Sequence, residues 1–394
     1  MVTGELKVLR TPEDIEPLRA DWESLGTRPE QNWHFYWNAI RHQTPAPTPY
    51  VVALSSDDRL EAALAGRIER GAITLQLGYW KPLRIPVRRI VMPMQGLLGR
   101  DDEATSTRLI ERVVEDLREG RADVALFEFL EEGSPLHRAA RGAPVGYRMR
   151  DRVPERRIHR YLTLPATFEE YHRKHKGLMQ KVRKFEKAFK DRHEYRLLTR
   201  EDEIDAFCEG ADAIVRKTYQ RALGVGFLNS AEDRGRLEAA ARQGIWRAFV
   251  ALVDGKMAAF WSGCQSGSTV SLWWTGYDTS LQEYSPGLVT STRMVELLIP
   301  RGVTVVDFGG GDAAYKERLA DESRWEESVC LFAPSVRGSL AHGVRAMDAA
   351  VGNLTRTRLK GLANRVKTPW RRLMARRVSR PETAAPPQGG SSGE

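Results

Sequence analysis

Cysteine is scarce in this chain: Cys208, Cys264 and Cys330 are the only three in 394 residues, and none forms a Cys-x-x-Cys pair. Zinc and dithiol redox chemistry therefore have no support, and a reducing, cytoplasmic setting is expected. No apolar run approaches the ~20 residues that a membrane span needs. Gly4, Glu5 and Lys7 interrupt any charged-then-apolar leader at the N-terminus. Walker, HExxH and GxSxG patterns are missing, which leaves nucleotide hydrolysis, zinc proteolysis and serine hydrolysis without a basis. His172 and His175 stand three apart, but no carboxylate or thiol pattern accompanies them, and no metal is expected.

An excess of one charge sign is also missing from most of the chain. The net charge is +9, yet residues 1–334 hold 49 basic and 49 acidic side chains. A neutral body argues against a nucleic-acid partner. Residues 335–394 hold twelve Lys/Arg and three acids, so the tail carries the whole excess. There Leu340, Val344, Met347, Val351 and Leu354 recur at steps of three and four, as do Leu359, Leu362, Val366 and Trp370. The pattern predicts a basic amphipathic helical tail over 335–380, with 356–377 on an anionic membrane surface and the earlier turns packed on the body. Residues 381–394, rich in Pro, Gly and Ser, are expected to be disordered.

What the sequence does contain is an internal echo. Val52-Ala53-Leu54, a turn and Leu60–Ile68 match Val250-Ala251-Leu252, Asp254-Gly255 and Lys256–Cys264. Asp-Gly between apolar runs marks a hairpin whose turn residues take positive φ. Leu75–Tyr79 is paired with Leu272–Tyr277 as a third strand, because Val52 to Val250 and Tyr79 to Tyr277 share an offset of 198. Helices at about 103–120 and 287–299 follow, then strands Asp123–Phe129 and Val303–Phe308, with Trp80–Arg100 as the extra residues of the first half. Helices at 11–25 and 31–42, and at 201–222 and 231–243, precede the two units. A strand after a helical crossover lies parallel to its neighbour. The fold class is therefore mixed α/β: tandem lobes, 1–150 and 151–334, each a mixed sheet flanked by helices. Between them His159–Leu164 reads as a strand and Phe168–Asp191 as one basic helix.

The run Asp307-Phe308-Gly309-Gly310-Gly311-Asp312-Ala313-Ala314-Tyr315-Lys316 resembles the signature of a bacterial acetyltransferase group associated with cellulose, exopolysaccharide and envelope-lipid genes (CelD-like). Thr218–Phe227 and the basic stretch Lys181–Phe189 resemble further parts of it, over roughly residues 5–335. That group is similar in architecture to the Fem-type aminoacyl transferases, which pair two lobes of the GNAT superfold. The resemblance implies an N-acyltransferase that moves an acyl group from acyl-CoA, as co-substrate, to an amine of an envelope precursor. The Arg/Gln-x-x-Gly-x-Gly/Ala loop of ordinary GNAT enzymes is missing, and Tyr284-Ser285-Pro286-Gly287-Leu288 stands in its place. Two alternatives stay open: an aminoacyl-tRNA donor, disfavoured because no helical hairpin insertion is visible, and a non-catalytic binding module.

Pro fits a first helical turn, Gly lets a ligand approach the backbone, and free N–H groups there bind phosphate. The donor site is therefore expected at Trp274, Gly276, Tyr277, Ser285, Pro286, Gly287 and Leu288. In the first lobe Asp101, Asp102 and Glu103 occupy the matching helix start and would repel pyrophosphate. Asp307 or Asp312 is expected to orient or deprotonate the amine, Tyr315 to protonate the leaving thiolate, and Lys316 to stabilise the oxyanion. Asp312 also reads as an N-cap. Tyr219, Gln220, Arg183 and Lys184 are assigned to the acceptor side. Trp273 and Trp274 are expected on opposite faces of their strand.

Overall fold

The computed structural model describes residues 4–43, 45–57, 59–77, 80–94, 96–146, 149–217 and 226–358. Tyr219, Gln220 and the tail from residue 359 lie outside the described residues. The first half runs β1 Glu5–Leu9, α1 Pro12–Ile15, α2 Arg19–Leu25, α3 Trp33–Arg41, β2 Thr48–Ser56, β3 Arg59–Leu77, β4 Trp80–Met92, β5 Leu97–Gly99, α4 Glu103–Arg118, β6 Val124–Glu131 and α5 Pro135–Gly142. The second runs β7 Glu155–Thr163, α6 Phe168–Lys174, α7 Lys176–Ala188, β8 His193–Leu198, α8 Ile204–Val215, α9 Ala231–Arg242, β9 Trp246–Val253, β10 Lys256–Ser266, β11 Thr269–Tyr277, α10 Pro286–Leu298, β12 Val305–Gly310, α11 Ala314–Leu319, β13 Glu322–Phe332 and α12 Val336–Arg358.

The two halves repeat one pattern of pairing. In the first, β1, β2, β3 and β4 pair antiparallel in turn, and β6 joins β4 in parallel. In the second, β8, β9, β10 and β11 do the same, and β12 joins β11 in parallel. Asp254 and Gly255 take φ of 51° and 73°, the turn that the Asp-Gly pair demands. The thirteen strands form one mixed sheet ordered β1-β2-β3-β4-β6-β13-β7-β12-β11-β10-β9-β8, with β5 paired to β3 off that path. At its centre β13, late in the chain, pairs with β6, while β7 pairs with β12. The first and last strands of the second half thus lie against each other at the middle of the sheet, and β13 joins that half to β6 of the first.

Strand alternation sends side chains to two faces. In the second half Phe207, Leu237, Trp246 and Phe260 fill one face beneath α8 and α9. Trp261, Val270, Met294, Leu298 and Val306 fill the other beneath α10. Each such buried side chain stabilises the fold by about 1.5–3 kcal/mol.

Four expectations about strands and long helices differ from the structure. Leu75–Leu77 is the end of the 19-residue β3, not a third strand. The third strand is β4, so the match of Tyr79 with Tyr277 is accidental, and the extra residues lengthen the β3–β4 hairpin. The basic helix 168–191 is two helices, α6 and α7, broken at His175, whose φ/ψ of −117° and 45° is not helical. Along α12 the buried stripe is Gly338, Ala341 and Val344, packed on the hairpin and β13, whereas Leu340 and Met347 are exposed. The fourth difference, at Trp273, belongs to the site.

Candidate functional site

Parallel strands β11 and β12 pair only through Thr269–Ser271 and Val305–Asp307. Beyond those residues they part, and the six residues Leu272–Tyr277 lack a partner on that side. A bulge explains the departure of β11. Ser262 pairs with Trp274 and Gly263 with Leu272, so Trp273 is the extra residue. A side chain on Gly263 would strike the Ser271 carbonyl, which is why glycine stands there. Bulges re-aim side chains next to active sites. Here the bulge cancels the alternation, and both Trp273 and Trp274 pack on the α8–α9 face, their ring centroids 5.6 Å apart. The expectation of opposite faces is therefore corrected.

Where the strands part, β12 ends in Asp307-Phe308-Gly309-Gly310. The glycines do not form a loop after the strand, because two of them extend it. The pairing with β7 slips between Asp307 and Gly310, and Gly309 has φ 72°, a region that favours glycine. A Cβ on Gly310 would collide with the guanidinium of Arg157. This kink turns the Gly309 N–H onto Asp307 Oδ1 at 2.7 Å.

Asp307 is buried, and its Oδ1 also lies 2.5 Å from His159 Nε2. The other ring nitrogen of His159, Nδ1, lies 2.7 Å from Glu326 Oε1. Carboxylates close to both ring nitrogens favour the doubly protonated imidazolium. Burial alone would lower the His159 pKa, but Asp307 and Glu326 outweigh it and hold it above the ordinary value. Burial pushes Glu326 up, and His159 and Arg157 outweigh that and bring it below the usual carboxylate range. Arg157 Nε donates to Glu326 Oε2 at 2.9 Å. The chain Asp307–His159–Glu326–Arg157 thus crosses the three central strands β12, β7 and β13.

Lys316 on α11 donates from Nζ to Gly310 O at 2.7 Å. Burial lowers its pKa to about 8, against the pull of Asp307 in the other direction. Tyr315 packs its ring 5.6 Å from that of Trp261, and Trp261 Nε1 donates to Gly287 O at 2.9 Å. One indole thus ties α11, which follows β12, to the start of α10. Asp312 is exposed and is not the N-cap of α11: Ala313 holds that position with no side-chain hydrogen bond. The helix begins one residue later than the Asp312 reading requires.

The start of α10 is open. Ser285 occupies the N-cap position at φ 54° and caps with no side-chain bond, and Pro286 follows at N1. Two lysines of α7 converge on it: Lys181 Nζ donates to Ser285 Oγ at 3.2 Å, and Lys184 Nζ to Glu283 O at 3.0 Å. The exposed Tyr277 flanks Gly287. An uncapped helix N-terminus with two ammonium groups beside it suits an anion. The structure thus brings Tyr277, Ser285, Pro286 and Gly287 together with Lys184. Trp274 and Gly276 pack on the opposite face, against Phe227 and Phe260, and Leu288 packs into the core beside Tyr315. Arg183 is exposed.

Sequence reasoning missed His159, Glu326, Arg157 and Lys181 as site residues. The available signal was charge inside a strand: β7 reads Glu-Arg-Arg-Ile-His-Arg-Tyr, and β13 carries Arg324 and Glu326 at alternate positions. Among the described residues no group of three or more His, Cys, Asp or Glu is placed to hold a metal, and no helix is long and apolar enough to cross a membrane.

No curated protein matches the chain. Among solved structures, FemX aligns with a TM-score of 0.53 at 8% identity, over 83% of this chain and 97% of its own. The C-terminal domain (DUF2156) of a putative lysylphosphatidylglycerol synthetase from Agrobacterium fabrum aligns with a TM-score of 0.52 at 14% identity, over 86% of this chain and 96% of its own. These likenesses establish the shared mixed α/β architecture. The family described as acetyltransferase (GNAT) domain matches residues 173–317, which span α7, the parted strands, the open start of α10 and the Asp307–Lys316 run. The match to that acetyltransferase (GNAT) domain thus falls wholly within the second half of this chain.

Proposed function

We propose that the chain is an N-acyltransferase that takes an acyl group from acyl-CoA and gives it to an amine of a cell-envelope precursor, an amino sugar of a polysaccharide or an amino lipid such as a sphingoid base. The observation that carries the reading is the uncapped start of α10 with Lys181 and Lys184 against it, beside strands that part past Ser271 and Asp307. The pyrophosphate end of the donor would lie on Ser285, Pro286 and Gly287. The unpaired backbone of Leu272–Tyr277 offers hydrogen bonds to its amide arm.

In the reaction the amine nitrogen attacks the thioester carbonyl. A C–N bond forms, the C–S bond breaks, the nitrogen loses a proton and the thiolate gains one. Asp307 is fixed through Oδ1 by His159 and the Gly309 N–H, which leaves Oδ2 to orient the amine and accept its proton. Lys316, beside Gly309 and Gly310, stabilises the oxyanion. Tyr315, held on Trp261, supplies the proton to the thiolate. The cations of residues 356–377 belong to the same reading, because they would bring the enzyme to an anionic surface where lipid-linked acceptors lie. Salt-sensitive pelleting with anionic vesicles, lost in a chain ending at Val351, is the expected result there. The decisive experiment is incubation of pure protein with labelled acyl-CoA of several chain lengths and a panel of amines. Amide formation supports the proposal; absence of both transfer and CoA binding by calorimetry overturns it.

A further inference from the structure

A cavity of about 250 Å³ opens between the halves, walled by α3 and β3 of the first and α9 of the second. Five charged side chains line it: Glu30, Arg67, Glu128, Glu232 and Arg236. Arg67 pairs with Glu69 and Glu232 is exposed, while among the described residues neither Glu30 nor Glu128 makes an ion pair. Arg236 lies 4.1 Å from the centroid of Trp273, the bulge residue of β11, and its Nε is buried without a hydrogen-bond partner. Burial raises the pKa of Glu30, and that of Glu128 likewise, although nearby arginines pull both back. Buried charges left without partners are costly. A concave site where several converge on aromatic walls is built for a ligand. Trp22, Phe35 and Tyr36 supply those walls.

The cavity also lies near the proposed reaction centre. Met94 lines it, and Met94 Sδ accepts from Arg157 Nη2 at 2.9 Å. Arg157 is the side chain that Gly310 packs against. At the other side, Asp307 is close enough to Glu30 for its charge to raise that group's pKa.

We infer that this cavity holds the acceptor and selects a protonated amine flanked by hydroxyl groups, the 2-amino alcohol unit that amino sugars and sphingoid bases share. The inference rests on the proposed function for the word acceptor and on the cavity alone for the ligand chemistry. Ammonium and hydroxyl groups donate, and the Glu30 and Glu128 carboxylates accept. The Arg236 guanidinium donates to a hydroxyl oxygen. The aromatic wall covers the C–H face of a sugar ring or the first carbons of an alkyl chain. A space of this size holds about eight waters at ~30 Å³ each, which one such headgroup would displace.

The test is binding by the full chain without any donor, followed by saturation-transfer NMR. The probes are glucosamine and 2-amino-1,3-propanediol, with glucose and propylamine as controls lacking the amine or the hydroxyls. Saturable binding of either amino alcohol is expected, at least tenfold tighter than both controls, and the tighter of the two identifies the acceptor class. Glu30→Gln and Glu128→Gln should each weaken it tenfold or more, and Ala39→Met, which fills the cavity from α3, should abolish it. Arg236→Gln gives a further weakened variant should a glutamine variant misfold. No preference over the controls, or equal binding by all folded variants, overturns the inference. Binding without acyl transfer from any donor would remove the proposed function and leave the site. Transfer to an amine whose KM is unchanged in Glu30→Gln and Glu128→Gln would remove the site and leave the function.

Discussion

Helices α4 and α10 occupy the same place in the two halves, each leading from an antiparallel strand to the parallel one, yet their N-termini are opposites. At α4 the Asp102 side chain accepts from the Thr105 N–H at 2.8 Å, Arg100 binds Asp102, and Arg138 binds Glu103 at 2.6 Å. That end carries its own anions and is closed. At α10 no side chain caps, and the charges that approach are Lys181 and Lys184. The strand ends differ in the same way. Glu128 on β6 has no ion-pair partner among the described residues, whereas Asp307 on β12 is fixed by His159 and Gly309. One backbone plan therefore carries an uncapped, lysine-flanked helix start in one copy and a capped, acidic one in the other. Function resides in the side chains added to the plan, not in the plan.

The largest effect is expected from making Asp307 resemble Glu128. His159→Gln leaves two carboxylates facing each other across the central strands, and removing one partner of a buried charge pair costs about 3–5 kcal/mol. Chemical denaturation should show that loss, with Glu128→Gln neutral or stabilising by the same measure. The pH dependence supplies a signature. Because His159 is held above its ordinary pKa, its stabilisation is complete below the unfolded value of about 6.5 and is lost as pH rises through the folded pKa. His159→Gln should flatten that decline. A variant as stable as the parent, with the same pH slope, would remove the imidazolium from the account.

Next, Gly287→Glu gives α10 the acid that α4 already has. The site has room, since a Cβ at Gly287 meets only Tyr277, at 3.6 Å. Affinity for acyl-CoA should fall at least 100-fold, about 2.7 kcal/mol, with little change in melting temperature. Unaltered affinity by calorimetry would move the donor elsewhere.

Lys316→Met should lower turnover about tenfold while acyl-CoA affinity holds. It should also raise stability near neutral pH, because the burial that lowers the Lys316 pKa to about 8 opposes its charge. Between about 8 and the ordinary 10.5 the unfolded chain binds a proton that the folded chain does not, so stability rises with pH across that window. The variant should lose this rise. Full turnover would exclude Lys316 from the chemistry.

The parts of this comparison that could be read from the sequence are those written locally. Asp254-Gly255 specifies its turn within two residues, Pro286 marks a helix start, and three acids at 101–103 state the charge of α4. Pairings across the chain are different. Nothing near His159 tells that β7 lies between β13 and β12, strands more than 140 residues later in the chain, so the link from Asp307 through His159 to Glu326 stayed hidden. Trp273 misled because a bulge changes the period by one residue, and Leu75–Tyr79 because a recurring tyrosine and glycine are not an alignment. Asp312 missed its capping role by a single position, within the usual uncertainty of helix ends.

The smallest effect, Asp102→Ala, tests whether sealing alone separates the two helices. Losing an N-cap costs about 1 kcal/mol, and for a unit of this size that lowers the melting temperature by about 2–4 °C. The Thr105 N–H would then lose its acceptor. Asp101 and Glu103 remain beside it, and no lysine pair corresponding to Lys181 and Lys184 approaches, so an anion would still meet repulsion there. Calorimetry should therefore report one acyl-CoA per chain with unchanged affinity. A stoichiometry of two would show that Asp102 alone had kept the first half from binding, and that the difference between the lobes is a single cap and not the charge of their surroundings.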